Sequence, residues 1–295
     1  EAGANRSDLS WKVLETEHFS ITYHQGLEGF ATRAARAAED VFGSITRLYD
    51  YVPEDRIRLI LRDLDDIGNG LTYYHLGTIE LWATSINIEF EFRGTKTNWL
   101  RNVLTHELAH AISLPVARKA SMRMPAIAFQ VFGYQGEGRR DDILTGYPDI
   151  LATYAVPTTI VPYWFAEGTA QYMASEAHHD RWDSHRDMIL RMSTLNNTLL
   201  SYDEMGSGGA KTGLEFEKVY DHGYALVLFI VNTFGEDKLA ELFRAMATWW
   251  RTDFGGAVQE VLGISDRELH RRWIESLQER YGVQEAQIRT NLSDG

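Results

Sequence analysis

Cysteine is absent from this 295-residue sequence, and its absence excludes several chemistries. The chain has no disulfide framework, no thiolate metal site and no cysteine nucleophile. A metal site must therefore be built from His, Asp or Glu. The lack of thiols also agrees with an oxidising compartment.

Long apolar runs and excess positive charge are missing as well. The longest clear apolar run, at 224–231, is far shorter than the roughly 20 residues of a membrane-spanning helix, so we expect no membrane span. The formal net charge is −13, and a surface of that sign repels nucleic acid. The first residues, EAGANRSDLS, are polar and lack an initiator Met, which is typical of a mature end after removal of a signal peptide.

Proline is scarce and unevenly placed, with five of the six residues between Pro115 and Pro162. Beyond Pro162 the apolar spacing predicts helices at 183–196, 220–233, 236–250 and 266–281. The first third instead alternates apolar and polar residues, which predicts strands at 18–24, 56–62, 79–84 and 86–92 around a helix at 28–51. A short helix is predicted at about 121–132. The expected fold class is α+β.

The segment NVLTHELAHAISL carries the pattern that indicates a function. On a helix, His106 and His110 lie one turn apart on the same face, about 5–6 Å from each other at Cβ, so both can bind one zinc ion. Glu107 lies about 100° further round, beside the metal, where a carboxylate can take a proton from activated water. The opposite face is apolar and is expected in the core: Leu100, Leu104, Leu108 and Ala111.

A catalytic zinc site needs a third protein ligand and an open position for water. Glu167, in PYWFAEGTAQYMA, is the candidate. Trp164 and Phe165 precede it, and a carboxylate buried among such residues is costly unless it has a partner. The alternative interpretation is an acidic residue near a helix N-terminus that complements the helix dipole.

HELAH followed by WFAEG resembles the gluzincin branch of zinc peptidases, with its thermolysin-like and M1-type folds. The order of further segments, from GTIEL through PYWFAEGTAQY to YDHGYALVLFIVNTFG, resembles the peptidase MA-like domain of exported bacterial proteins over about residues 11–281. The resemblance implies one zinc ion per chain, a peptide or protein substrate, and a periplasmic or extracellular location. Because that domain is often joined to a TolB-type β-propeller, a C-terminal propeller in a longer parent protein is also implied.

The resemblance assigns further roles. In M1-type enzymes a Tyr after the Glu ligand donates a hydrogen bond to the tetrahedral oxyanion, and Tyr220 stands in that place, with His222 and Tyr224 as second choices. The segment GTIELWATS corresponds to the edge strand that lines the cleft, where an extended peptide can add as a strand; its candidate substrate-binding residues are Gly77, Thr78, Ile79 and Glu80. The M1-type GAMEN motif is matched only in part, which favours an endopeptidase.

We therefore expect a thermolysin-like gluzincin domain in two lobes. Residues 1–177 would form the catalytic lobe, with a mixed sheet, the HELAH helix, the Glu-ligand helix and an insert at 116–160 that packs locally and contributes to the cleft rim. Residues 178–295 would form a helical lobe.

The expected function is zinc-dependent peptide-bond hydrolysis, and two alternatives stay open. An aminopeptidase needs an acidic group that grips the free amine of the substrate, for which the sequence offers Glu80 or Glu89. A zinc-binding, non-catalytic module for envelope interactions needs only the ligands, so the presence of Glu107 argues against it.

Overall fold

The computed structural model describes residues 8–63, 68–84, 99–120, 126–133, 150–207 and 211–293. The strand predicted at 86–92, and with it Glu89, lies outside these ranges.

Five strands form the main sheet, in the order β1-β2-β3-β5-β4. Their bounds are Trp11–Glu15 (β1), Phe19–His24 (β2), Ile57–Arg62 (β3), Gly70–Tyr73 (β4) and Thr78–Trp82 (β5). β3 runs parallel to both β2 and β5, whereas β1 and β4 pair antiparallel with β2 and β5. The strands predicted at 18–24, 56–62 and 79–84 are confirmed as β2, β3 and β5, and their alternation places Phe19, Leu59 and Ile79 in the core.

The helix α1 (Glu28–Tyr49) connects the parallel strands β2 and β3. Parallel neighbours need such a crossover because a tight turn cannot join them. One face of α1 is rich in alanine and is fully buried, so the helix packs closely against its neighbours. The helix predicted at 28–51 is confirmed and ends two residues earlier, at a left-handed Asp50.

The prediction that GTIEL forms the edge strand of the sheet is wrong. β5 lies between β3 and β4 and pairs with both, so its backbone is engaged on each side. Among the described strands, β4 is the one at this edge. The physical reason is a short hairpin: the single 3₁₀ turn at Tyr74–Leu76 folds the preceding residues back along β5. The alternation of side chains along one strand does not reveal which strand pairs with it.

Nine helices are present in the described part of the chain. After α1 they are α2 (Trp99–Val116), α3 (Tyr163–Glu176), α4 (Ser184–Leu195), α5 (Tyr202–Gly206), α6 (Gly213–Phe234), α7 (Asp237–Met246), α8 (Phe254–Leu262) and α9 (Asp266–Ser293). The four helices predicted beyond Pro162 are confirmed as α4, α6, α7 and α9. α6 begins seven residues before the predicted start, because Thr212 and Glu215 form a capping box there.

The short helix predicted at about 121–132 is wrong over its described part. Ala126–Gly133 is a strand (β6) that pairs antiparallel with Ile150–Pro157 (β7) in a separate two-stranded sheet. The segment AIAFQVFG is apolar almost throughout, so its spacing does not distinguish helix from strand. The segment forms a strand because it pairs with β7, which lies more than 15 residues further along the chain. This hairpin forms part of the connection between α2 and α3.

The buried apolar side chains form one cluster that reaches from the main sheet to α9. Members come from both sides of residue 177, for example Leu59 in β3 and Trp273 in α9. The division into two lobes at that residue stays a prediction.

Candidate metal centre

Helix α2 places two histidines at the centre of the molecule. His106 and His110 lie one turn apart and are both buried, with 8 % and 7 % of their surface exposed. Leu100, Leu104, Leu108 and Ala111 are buried as well, so the predicted apolar stripe holds α2 in the core. The face of α2 that carries the histidines is therefore covered by another part of the protein, as is the opposite, apolar face.

Helix α3 covers that face and supplies Glu167. Its approach is tight, because α3 also packs against α6 through two glycines. A Cβ atom on Gly168 would lie 2.4 Å from the Gly223 carbonyl oxygen, and one on Gly223 would lie 2.5 Å from the Trp164 carbonyl oxygen. Larger residues at either position would separate the helices. This crossing fixes the first turns of α3, and with them Glu167, opposite α2.

The three candidate ligand atoms converge. The Oε2 atom of Glu167 lies 2.9 Å from Nε2 of His106 and 3.3 Å from Nε2 of His110, and the two imidazole nitrogens are 3.1 Å apart. A tetrahedral zinc ion with bonds of about 2.0–2.1 Å separates its ligand atoms by about 3.3 Å. The triangle therefore has the size that such an ion requires.

The electrostatics of this triangle fit a cation. Burial raises the pKa of Glu167, but the adjacent imidazoles of His110 and His106 outweigh burial and hold the pKa far below its ordinary value of 4.5. Burial lowers the pKa of His110, but the negative charge of Glu167 prevails and raises it above 6.5. In this buried triangle Glu167 is therefore stabilised as a charged carboxylate when a positive charge lies next to it. With neutral imidazoles, three lone pairs point at one place, and a divalent cation satisfies all of them at once.

Glu107 faces the sheet edge beside this triangle. The hydroxyl of Thr72, on β4, donates a hydrogen bond to Oε2 of Glu107 at 2.7 Å and lies 2.8 Å from its main-chain carbonyl oxygen. Gly70 makes this approach possible: a Cβ atom there would lie 2.6 Å from Cγ of Glu107 and 2.7 Å from Cγ2 of Val103. The carboxylate is therefore held in one place next to the candidate ligands.

Tyr220, on α6, lies close to His106. Its ring centroid is 6.1 Å from that of His106, and its hydroxyl oxygen lies 3.3 Å from the hydroxyl oxygen of Tyr163. Gly223, one turn further along α6, makes the crossing with α3, so the same packing brings Tyr220 towards the ligands.

The two second-choice residues lie elsewhere. His222 is two positions beyond Tyr220, about 200° round the helix, and its ring is fully buried against Trp273 in α9. Tyr224 packs against Trp182, with the Arg186 guanidinium over its ring. Both belong to the packing between α6 and its neighbours.

The GTIEL residues have contacts of their own within the sheet and its turn, and their role in substrate binding stays a prediction. Ile79 is in the core, and Glu80 forms an ion pair of 2.9 Å with Arg62 of the adjacent strand. Gly77 has a positive φ of 57° and ends the 3₁₀ turn. The charge of Glu80 is thus matched by Arg62.

Sequence reasoning missed Thr72 and Tyr163. Thr72 lies in GNGLTYYHL, where no local pattern indicates that it contacts a residue 35 positions later. Tyr163 could have been found, since it precedes Glu167 by four residues and so lies on the same face of α3.

Residues 151–279 match the sequence model of the family described as the Peptidase MA superfamily. The matched part contains α3 with Glu167 and α6 with Tyr220, whereas α2 with HELAH precedes it. None of the curated proteins matches the chain. The family match, over less than half of the chain, supports a gluzincin, peptidase MA-like domain, and hydrolysis by a metallopeptidase is the activity that the family indicates.

The class of fold and the buried residues agree with that family. The fold is mixed α+β, and among the described residues His106, His110 and Glu167 are the group able to hold a metal ion. No helix in the described ranges has both the length and the apolar character needed to cross a bilayer.

Proposed function

We propose that this protein is a zinc-dependent peptidase in which His106, His110 and Glu167 bind one zinc ion. The observation that carries the proposal is the buried triangle of three ligand atoms with the Glu107 carboxylate beside it. A purely structural site would not need that second carboxylate. The donor set of two imidazoles and one carboxylate is the one that catalytic zinc takes in peptidases of this kind.

When bound, zinc polarises the substrate carbonyl and lowers the pKa of water. The Glu107 carboxylate accepts a proton from the attacking water and later passes it to the leaving nitrogen. Thr72 keeps the accepting oxygen in position for both transfers. The Tyr220 hydroxyl donates a hydrogen bond to the oxyanion that develops at the carbonyl oxygen, a contact that stabilises the transition state more than the ground state.

We propose endopeptidase cleavage, with the substrate extended along the outer edge of β4. Among the described strands this edge has no neighbour, and Thr72 ties it directly to Glu107. Main-chain hydrogen bonds to a free strand edge bind an extended peptide without requiring its terminus. An aminopeptidase would need a carboxylate near the site for the free amine, and Glu80 is paired with Arg62.

The test combines metal content with hydrolysis. Elemental analysis of the wild-type protein should give about one zinc per chain, and Glu167→Ala should lose it. Glu107→Gln should keep the zinc and lose cleavage of casein. Glu241→Gln changes a partly exposed side chain on α7 that pairs with Lys238; it is the matched control and should behave as wild type. A wild-type protein without zinc contradicts the proposal, and one that holds zinc but cleaves no unfolded protein supports a binding module instead.

Export from the cytoplasm and a propeller in a longer parent protein belong to the same proposal, and the resemblance is their main support. The lack of cysteine agrees with an oxidising compartment. Fractionation of producing cells, with antibody against this domain, tests both: the protein should be found outside the cytoplasm, at a mass larger than that of this chain.

A further inference from the structure

Tyr163 is the first residue of α3 and lies one turn before Glu167. Residues four apart on a helix share a face, so Tyr163 lies on the side of α3 that carries the ligand. Its hydroxyl oxygen lies 3.3 Å from that of Tyr220 on α6. The two helices that supply Glu167 and Tyr220 are therefore joined by a pair of phenols beside the candidate metal centre.

A third aromatic ring holds this pair in place. Phe216 lies one turn before Tyr220 on α6, and its ring centroid is 5.7 Å from that of Tyr220 and 5.6 Å from that of Tyr163. The two tyrosine rings meet edge to face at 6.2 Å. Each ring in this group contacts the other two, which restricts the side-chain torsions of both tyrosines.

A phenol hydroxyl carries one proton and accepts through its oxygen. When two phenols are paired, one donates a hydrogen bond to the oxygen of the other. The accepting phenol still carries its own proton, which it can donate to a different acceptor. We propose that Tyr163 donates to the oxygen of Tyr220 and thereby directs the Tyr220 proton to the substrate oxyanion. Tyr163 is then a positioning residue that acts through Tyr220. A phenol that accepts a hydrogen bond is also a stronger donor, because successive hydrogen bonds polarise one another.

This inference rests on the proposed function, and three variants of the zinc-loaded full chain test it. Turnover of fluorescein-labelled casein should fall about 100-fold in Tyr220→Phe, the usual effect of removing one oxyanion donor. In Tyr163→Phe, kcat should fall about 10-fold with KM unchanged. The double variant should match Tyr220→Phe alone, because Tyr163 has no effect without Tyr220. Tyr172→Phe is the matched control: it removes a hydroxyl of the same helix, one that bonds to Glu236.

A second readout does not depend on turnover. In protein labelled with ¹³Cζ-tyrosine, the Tyr220 signal is identified by its loss in Tyr220→Phe. It should shift in Tyr163→Phe and stay in place in Tyr172→Phe. A purely structural role of Tyr163 would lower thermal stability and add its own loss of kcat in the double variant.

The outcomes separate the two proposals. Wild-type turnover in Tyr163→Phe, a rise in its kcat, or additive losses in the double variant overturn the inference and leave the peptidase proposal standing. If the wild-type protein holds zinc but cleaves no casein, the peptidase proposal fails. The ¹³C signal of Tyr220 then tests the hydrogen bond between Tyr163 and Tyr220 without any measurement of turnover. An unmoved Tyr220 signal in Tyr163→Phe then overturns the inference.

Discussion

The Thr72 hydroxyl on the edge strand β4 lies 2.7 Å from Oε2 and 2.8 Å from the main-chain carbonyl oxygen of Glu107 on α2. One short side chain thus connects the sheet edge, where we place the substrate, to the carboxylate that we assign as general base.

Removal of this hydroxyl should reduce turnover without loss of the metal. Thr72→Val keeps the shape of the side chain, and we expect kcat on casein to fall about tenfold, because a hydrogen bond to a charged group is worth about 1.5–3 kcal/mol. Zinc content should stay at the wild-type value, since the Thr72 hydroxyl bonds to Glu107, which is not one of the proposed ligands. Thr72→Ser retains the hydroxyl and should restore most of the activity. Full activity in Thr72→Val would show that Glu107 does not depend on this contact.

Gly70→Ala should damage the same site by crowding. The new methyl group would lie within 3 Å of both Glu107 and Val103, so β4 or α2 has to shift. We expect a loss of about 1–3 kcal/mol in the free energy of unfolding, together with reduced turnover. Gly282→Ala in α9 is the control: its added methyl group meets nothing within 4 Å, and an alanine within a helix should stabilise by about 1 kcal/mol. Urea titrations of the two variants should therefore move in opposite directions.

Zinc should stabilise the folded chain. Its three proposed ligands come from two helices that meet only in the native state, so the ion would bind the folded form selectively. At a free zinc concentration about 1,000-fold above the dissociation constant, the free energy of unfolding should rise by about 4 kcal/mol. Urea unfolding with zinc and with a chelator measures this difference. It should disappear in Glu167→Ala, and an equal effect of zinc on that variant would contradict the assigned ligand.

His222 should make stability fall in acid. Burial lowers the pKa of its ring to about 3, from an ordinary value of 6.5, so the unfolded chain binds a proton that the folded chain does not. This contribution to stability is complete above pH 6.5 and is lost as the pH falls towards 3. Between pH 7.5 and 4.5 the loss from this group is about 2–3 kcal/mol.

His222→Leu should reduce that dependence. Neither ring nitrogen has a hydrogen-bond partner among the described residues, so an apolar replacement leaves no new unpaired group. Urea unfolding of metal-free protein at the two pH values measures the slope, which should be shallower in the variant by about the same 2–3 kcal/mol. Identical slopes in the two proteins would show that His222 does not titrate as stated.

Local periodicity was enough to predict most helices and three strands. β2, β3 and α4 were predicted within about two residues because their apolar spacing is regular and their ends carry caps or breaks. The hairpin β6–β7 was not predicted, because a continuous run of apolar residues is compatible with both a helix and a strand. The outer strands β1 and β4 were missed because both are short, and β1 is also mostly exposed.

The sequence alone determined the core of the site. His106 and His110 follow from the pitch of a helix, and Glu107 follows from its place beside them. Tertiary structure decided the rest: that Glu167 closes the triangle, that β4 and not β5 is the sheet edge, and that Tyr163 meets Tyr220. The reason is physical. A helix fixes the geometry of residues four apart, whereas contacts across 35 or 57 positions depend on which surfaces pack, here on the close crossing of α3 and α6 at Gly168 and Gly223.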